Sequence, residues 1–415
     1  MPHQWKAVGL ALLLGSCWLG ARDLPAPRID CAFPGGNIIV DQIQGDTVLL
    51  RQDLRDTQGN WFYWYFRVRK AAGRTLSFQF TKGNVIGVRG PAVSVDRGRT
   101  WRWLGADAVK DSTFRFTFPR GADEVRFCMT VPYVERNLTE FLRRYRRNPY
   151  LKTDVLCKTK KGRSVELLHL GRLDGQCDQR VVITARHHAC ETIASYSLEG
   201  LLASVLADSD DGKWFREHVE FLVVPFMDKD GVEQGDQGKN RKPRDHNRDY
   251  EGESIHPSVR ALRELVPRWS EGRLRVALDM HCPLIRATGW EAARDNRAED
   301  LQFSGVSNQA VWARVEQFCR ILESVQTGPL VYSTKNNTPF GAGWNTAANN
   351  ASLKPFDEWA SEQPGIFAAT TIEIPYASAG GGPVTAESAR AFGADLARAL
   401  RRYLAESRDL QPLRD

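Results

Sequence analysis

Four nearly unbroken apolar runs, "RVVITA", "EFLVVPFM", "RVALDM" and "AATTIEI", lie between residues 180 and 374. A strand with one wet face alternates apolar and polar residues. A strand apolar at successive positions has both faces covered, as in the parallel or mixed sheets of α/β folds. The intervening stretches supply the cover. "YSLEGLLASVL" puts Leu198, Leu201, Leu202 and Val205 on one helical stripe, and the C-terminal "ESARAFGADLARALRRYL" does the same with Phe392, Leu396, Leu400 and Leu404. This half of the chain is therefore expected to be a mixed sheet with helices on both faces.

Ligands of open α/β sheets gather beyond the C-terminal ends of the strands. "RVVITA" runs into Arg186-His187-His188-Ala189-Cys190-Glu191, "RVALDM" into His281 and "AATTI" into Glu373; "EFLVVPFM" opens the basic segment that ends in "DHNRDY". The chain has 8 histidines in 415 residues, so their gathering at strand ends points to a site. Two histidines and a glutamate are a common ligand set of catalytic zinc, three nitrogen and oxygen donors that leave a fourth position for water. His188 and Glu191, spaced HxxE, can turn toward one ion with His281 from a neighbouring strand. A single histidine ahead of a helix is ordinarily a polar or surface residue. The coincidence of three positions carries the metal reading, and the residues alone leave open whether His187 or His188 takes part.

Ahead of this half, residues 35–133 hold short alternating runs such as "WFYWYFRVRK", "TLSFQF", "TFRFTF" and "EVRFCMTV", broken by Gly-containing turns. That pattern predicts an antiparallel β-sandwich. "NLTEFLRRYRR" then reads as a short helix, capped by Asn137, that leads into a linker. Composition, 42% hydrophobic and 10% aromatic, supplies a core for both parts. The expected division is a signal peptide at 1–21, a sandwich at 22–140 and a catalytic domain at 141–410.

The signal reading rests on Lys6 followed by the apolar run at 7–21, too short to span a bilayer comfortably, with a small-residue cleavage site at Leu19-Gly20-Ala21. The expected location is periplasmic or extracellular. Leu14-Gly15-Ser16-Cys17 also fits a lipobox; a lipid on Cys17 would be the chain's one link to a membrane. Without the leader, seven cysteines remain, enough for one or two disulfides in an oxidising compartment. The formal charge is +7, but basic and acidic residues interleave, so no nucleic-acid partner is expected. An acidic substrate or a surface polyanion suits the charge equally well.

At these residues the chain resembles the zinc carboxypeptidases related to carboxypeptidase A, most closely the branch called cytosolic carboxypeptidases. "ARHHACET" (185–192) resembles that branch's "ARxHPGET", Asp228-Lys229-Asp230-Gly231-Val232 its "NPDGV", and "PRDHNRDY" (243–250) its "GRDLNRNY". Asp279-Met280-His281-Cys282-Pro283 resembles "DLHGH", and "GIFAATTIE" (365–373) resembles "GIxxSYTLE". On the sandwich side, "WFYWYFRV" and "VPYVERNLTEFL" resemble the segments that precede those peptidase domains. The likeness spans about residues 35–400.

The resemblance implies a zinc carboxypeptidase domain behind a β-sandwich, with one zinc ion per chain held by His188, Glu191 and His281. It makes His187 a packing or outer-contact residue and leaves His246 beside the Asn-Arg pair without a ligand role. It implies Glu373 as general acid/base and Asn247 with Arg248 as the anchor for a substrate's C-terminal carboxylate. Three positions depart from the family. The oxyanion-binding arginine aligns with Gly238, so Arg241 or Lys239 must serve, and Arg241 is the expected one. The substrate-covering tyrosine has no clear counterpart; Asn350 is nearest in register and Tyr332 is distant. The arginine that selects acidic C-termini is missing, Trp344 lies nearby, and Asp357 is expected to face the pocket and favour a basic side chain.

The function implied is an exported zinc metallocarboxypeptidase that hydrolyses a C-terminal peptide or isopeptide bond of a peptide-like substrate. The alternatives are a cell-wall peptide or N-acyl amino acid amidase on the same scaffold, and an inactive peptide- or glycan-binding protein.

Overall fold

A computed structural model of the chain describes Met1 and residues 26–286, 297–350 and 353–407. The rest of the leader with Cys17, and the side chain of Asn350, lie outside the described residues.

The N-terminal part is a sandwich of two five-stranded sheets. Its core is aromatic: Trp64, Phe66, Phe78, Phe114 and Phe127 are buried with neighbouring ring centroids 5–6 Å apart, in the range where offset and edge contacts are favourable. Pairing is antiparallel throughout except between Thr47–Arg51 and Thr75–Phe80, which run parallel. The cause is the strand between them in sequence, Tyr65–Arg69, which belongs to the opposite sheet. A chain that crosses to the other sheet and returns re-enters in its original direction.

The second part is built on a seven-stranded mixed sheet. Its strands are β1 (Leu151–Lys158), β2 (Ser164–Gly171), β3 (Gln179–Ala185), β4 (Val219–Val224), β5 (Leu274–His281), β6 (Gln302–Ser304) and β7 (Ala368–Glu373). The order is β1-β2-β4-β3-β5-β7-β6. The four apolar runs are the adjacent central strands β4, β3, β5 and β7, all parallel. Alternate residues pack on opposite faces. Val181 and Ile183 join one cluster with α1 (Thr192–Leu206), α3 (Gln309–Val325) and α5 (Ala386–Glu406). Val182 and Ala277 join another with α2 (Pro257–Ser270) and α4 (Phe356–Ser361). The mixed α/β sheet with helices on both faces is as the sequence predicts.

The first of these clusters runs on into the sandwich without a break. Thr192 donates to Val131 O at 2.6 Å, Tyr196 to Pro132 O at 2.8 Å and Arg186 to Tyr133 O at 3.0 Å. The seven described cysteines are free, so the expected disulfides do not form among them. No helix among the described residues is long and apolar enough to cross a membrane.

Candidate active site

Parallel register brings the strand ends level. Thr184 pairs with Asp279 and Ala185 with Met280, while His281 pairs with Glu373. The turn after β3 is organised by Arg186, which takes φ +61° and is fully buried. Its guanidinium donates to Ala189 O at 3.1 Å and to the Ser195 hydroxyl at 3.0 Å. The turn is thereby tied to the first residues of α1, and His188 and Glu191 face His281.

The ligand atoms converge. His188 Nδ1 lies 2.9 Å from Glu191 Oε1 and 3.2 Å from His281 Nδ1, and His281 Nδ1 is 2.8 Å from Glu191 Oε2. Donors about 2.0–2.2 Å from one tetrahedral zinc ion lie about 3.2–3.5 Å apart, so the set fits with a small outward relaxation. Glu191 Oε2 is buried and makes no aligned hydrogen bond among the described residues, its close neighbour being the other candidate ligand atom, His281 Nδ1, as suits an atom shaped for a cation. His187, Asp279 and His281 form a second cluster of ligand types, but their atoms serve one another. Asp279 takes His187 Nδ1 at 2.8 Å and His281 Nε2 at 2.6 Å, and His187 Nε2 meets the Tyr250 hydroxyl at 2.7 Å. Asp279 therefore aims His281 Nδ1 at the metal position, the usual task of a carboxylate behind a ligating histidine. His187 is the far end of that chain.

Electrostatics follow the geometry. Burial opposes ionisation of Glu191, yet Lys239, His281 and His188 together hold its carboxyl well below the usual range. Burial of Glu373, then repulsion from Glu191, pushes its carboxyl up to about 7, within reach of proton exchange near neutrality. Glu373 lines a cavity of about 180 Å³ together with His188, Lys239, Arg248, Arg297 and Trp344.

Arg241 is not at this site. Its guanidinium is committed to Asp56 at 3.1 Å, Asp228 at 2.8 Å and Asp236 at 3.0 Å, beneath the loop that carries it. The cation beside the metal ligands is Lys239, with Nζ 2.7 Å from Glu191 Oε1. The arginine expected at Gly238 cannot be accommodated there: φ is +76° and a Cβ would meet Ala189 N at 2.1 Å. The backbone presses against the ligand turn, and the next residue supplies the charge.

Asp357 is also misplaced by the sequence reading. It is buried behind β7, accepting from the Thr371 hydroxyl at 2.9 Å, outside the residues that line the cavity. Burial and the nearby Glu358 raise it to about 6. Arg248 lines the cavity, whereas Asn247 sits behind it, accepting from Phe356 N at 3.0 Å with its amide 3.4 Å from His281 Nε2. His246 is buried against His256, ring centroids 3.7 Å apart. Tyr332 is buried and bonded to Asn337 at 2.7 Å.

Three contributors went unread in the sequence. Asp279 had a signal, a carboxylate two residues before a ligand histidine. Arg297 and Trp61 had none: the first belongs to no recognisable motif, and the second sits in an aromatic run indistinguishable from core.

Comparison with known proteins agrees with this geometry. Residues 138–269 match the model of the zinc carboxypeptidase family. Cytosolic carboxypeptidase 3 of Bos taurus is 33% identical over 171 residues, 39% of this chain and 17% of that protein. Cytosolic carboxypeptidase 2 of Danio rerio is 28% identical over 270 residues, 56% of this chain and 37% of that one. The chain thus spans well under half the length of these relatives. A metallo-carboxypeptidase from Burkholderia cenocepacia shares the fold, with a TM-score of 0.74 at 20% identity, covering 92% of this chain and 100% of its own.

Proposed function

We propose that this chain, whose residues 138–269 match the zinc carboxypeptidase family, hydrolyses the C-terminal peptide or isopeptide bond of a substrate ending in a free carboxylate. The observation that carries this reading is one cavity lined by His188 of the three-donor metal set, by a carboxyl raised to about 7 and by Arg248, which has no carboxylate partner among the described residues. Zinc, when bound, supplies an activated water and polarises the scissile carbonyl. The remaining work belongs to side chains. Glu373 takes the proton of the attacking water and returns it to the leaving amine. Lys239, beside the metal ligands, faces the negative charge that develops on the carbonyl oxygen. Arg248, whose one acceptor among the described residues is the neighbouring Asn247 O at 2.9 Å, binds the terminal carboxylate.

The basic side chain expected from Asp357 loses its support, since that carboxyl faces β7. Lys239, Arg248 and Arg297 bring three cations to the cavity against Asp245 and Glu373, which favours a substrate with an acidic residue near its C-terminus. Export belongs to the same reading and is supported by the leader at residues 1–21 alone. N-terminal sequencing of the mature protein, with lipid analysis at Cys17, tests it.

The function test is product mass spectrometry of a mixed peptide pool incubated with zinc-loaded residues 22–415, beside Glu373→Gln. The expected result is loss of single C-terminal residues, acidic ones first, by the parent chain alone. An intact pool from a zinc-occupied protein would overturn the carboxypeptidase reading.

A further inference from the structure

The loop that carries Lys239 has no regular secondary structure between Gly235 and Asp245, yet it is fastened at successive residues, chiefly by the sandwich. The Asp56 carboxylate accepts from Gln237 N at 3.0 Å, Gly238 N at 2.8 Å and Arg241 Nε at 3.1 Å. The Gln237 side chain exchanges two hydrogen bonds of 2.8 Å with the Tyr63 backbone. The Thr57 hydroxyl donates to the Lys239 carbonyl, and Gln58 N donates to Asn240 O at 3.3 Å. Trp61 places its ring 5.1 Å from Lys239 Nζ and lines the cavity. From the other side, Cys190 N donates to Gln237 O at 3.2 Å. The loop is therefore held between the sandwich and the turn bearing His188 and Glu191.

A lysine's ammonium rides on a flexible four-carbon stem, so its location depends on the backbone from which it springs. Here one carboxylate of another layer holds the two successive amides just ahead of it, Gln237 N and Gly238 N. We propose that Asp56 is a positioning residue that acts through Lys239, making the sandwich a working part of the active site. Removing the carboxylate strands the amides of Gln237 and Gly238 without their acceptor. Arg241 keeps Asp228 and Asp236, so the loop shifts and does not detach. The kinetic consequence rests on the carboxypeptidase reading; the consequence for metal binding does not.

The test is a double-mutant cycle of Asp56→Ala and Lys239→Ala in the full chain, read on two scales. The first is kcat and KM on a cleaved peptide. Asp56→Ala is expected to lower kcat about 10–100-fold, the cost of an ångström-scale misplacement, with a smaller change in KM. In the Lys239→Ala background it should cost nothing further. The second is the zinc dissociation constant by chelator competition. Lys239 Nζ lies 2.7 Å from Glu191 Oε1, and a cation held against a ligand carboxylate opposes a second cation there, so Lys239→Ala is expected to tighten zinc binding. Asp56→Ala should move it the same way, and the double variant should match Lys239→Ala. Additive effects on either scale, or an Asp56→Ala chain with parental kcat and zinc affinity, overturn the proposal. Should Asp56→Ala fail to fold, Asp56→Asn, which keeps one acceptor, enters the same cycle. A parent chain that cleaves no peptide sinks the carboxypeptidase reading and leaves the zinc cycle to decide this one.

Discussion

Glu373 is the residue on which chemistry and stability pull in opposite directions. Its carboxyl, normally near 4.5, is raised to about 7 by burial and by Glu191. In the metal-free fold it is protonated where the unfolded chain's carboxyl is ionised. Its contribution to stability is therefore complete below about pH 4.5 and lost as pH rises through about 7. Glu373→Gln removes that loss. In chelator, urea unfolding should show the variant and parent equal near pH 4.5 and the variant more stable by on the order of 1–3 kcal/mol near pH 8. The same variant, zinc-loaded, should lose activity about 10²–10⁴-fold. Lys239→Ala, which removes the cation that lies beside the candidate ligands, should cost about 10²–10³ in kcat with zinc retained. The candidate ligand positions were legible because strand ends and the HxxE spacing are local features, although the residues alone left both His187 and His188 open. Lys239 was not, since choosing among Gly238, Lys239 and Arg241 required knowing that Ala189 closes off position 238 and that three carboxylates hold Arg241.

Among elements, the central strands were the easiest to read and their covering helices nearly so. β3, β4 and β7 are buried at every position, as short, β-branched apolar runs predict for strands covered on both faces. The closeness of α1 and α5 was hidden in single glycines. A Cβ at Gly393 would meet Ser197 O at 1.9 Å, and one at Gly200 would meet Arg390 O at 1.9 Å. Gly393→Ala should therefore destabilise the fold by about 1–3 kcal/mol or more through overpacking, despite alanine's better helix propensity; thermal unfolding checks the sign. The parallel pair inside the sandwich was also unreadable. Alternation gives a strand's faces but says nothing of its partner's direction.

The molecule as a whole departs most from a picture of two separate domains. One hydrophobic cluster crosses from sandwich to catalytic half, and Trp103 Nε1 donates to Val384 O at 2.8 Å while Thr130 donates to Tyr376 O at 3.0 Å. Unfolding by calorimetry should give a single cooperative transition; two resolved peaks would mean the halves are energetically independent. Chelation should lower the transition temperature without splitting it, because zinc stabilises only the state in which its ligands converge. By itself the sequence determined the layers and the central strands, since each rests on a periodicity, and it marked His188, Glu191, His281 and Glu373 as candidates at the strand ends. Only the tertiary structure decided which cation stands beside the metal ligands, where Asp357 faces and that Asp56 holds the active-site loop. Those outcomes depend on distances between residues up to 185 positions apart, and sequence spacing fixes no such distance.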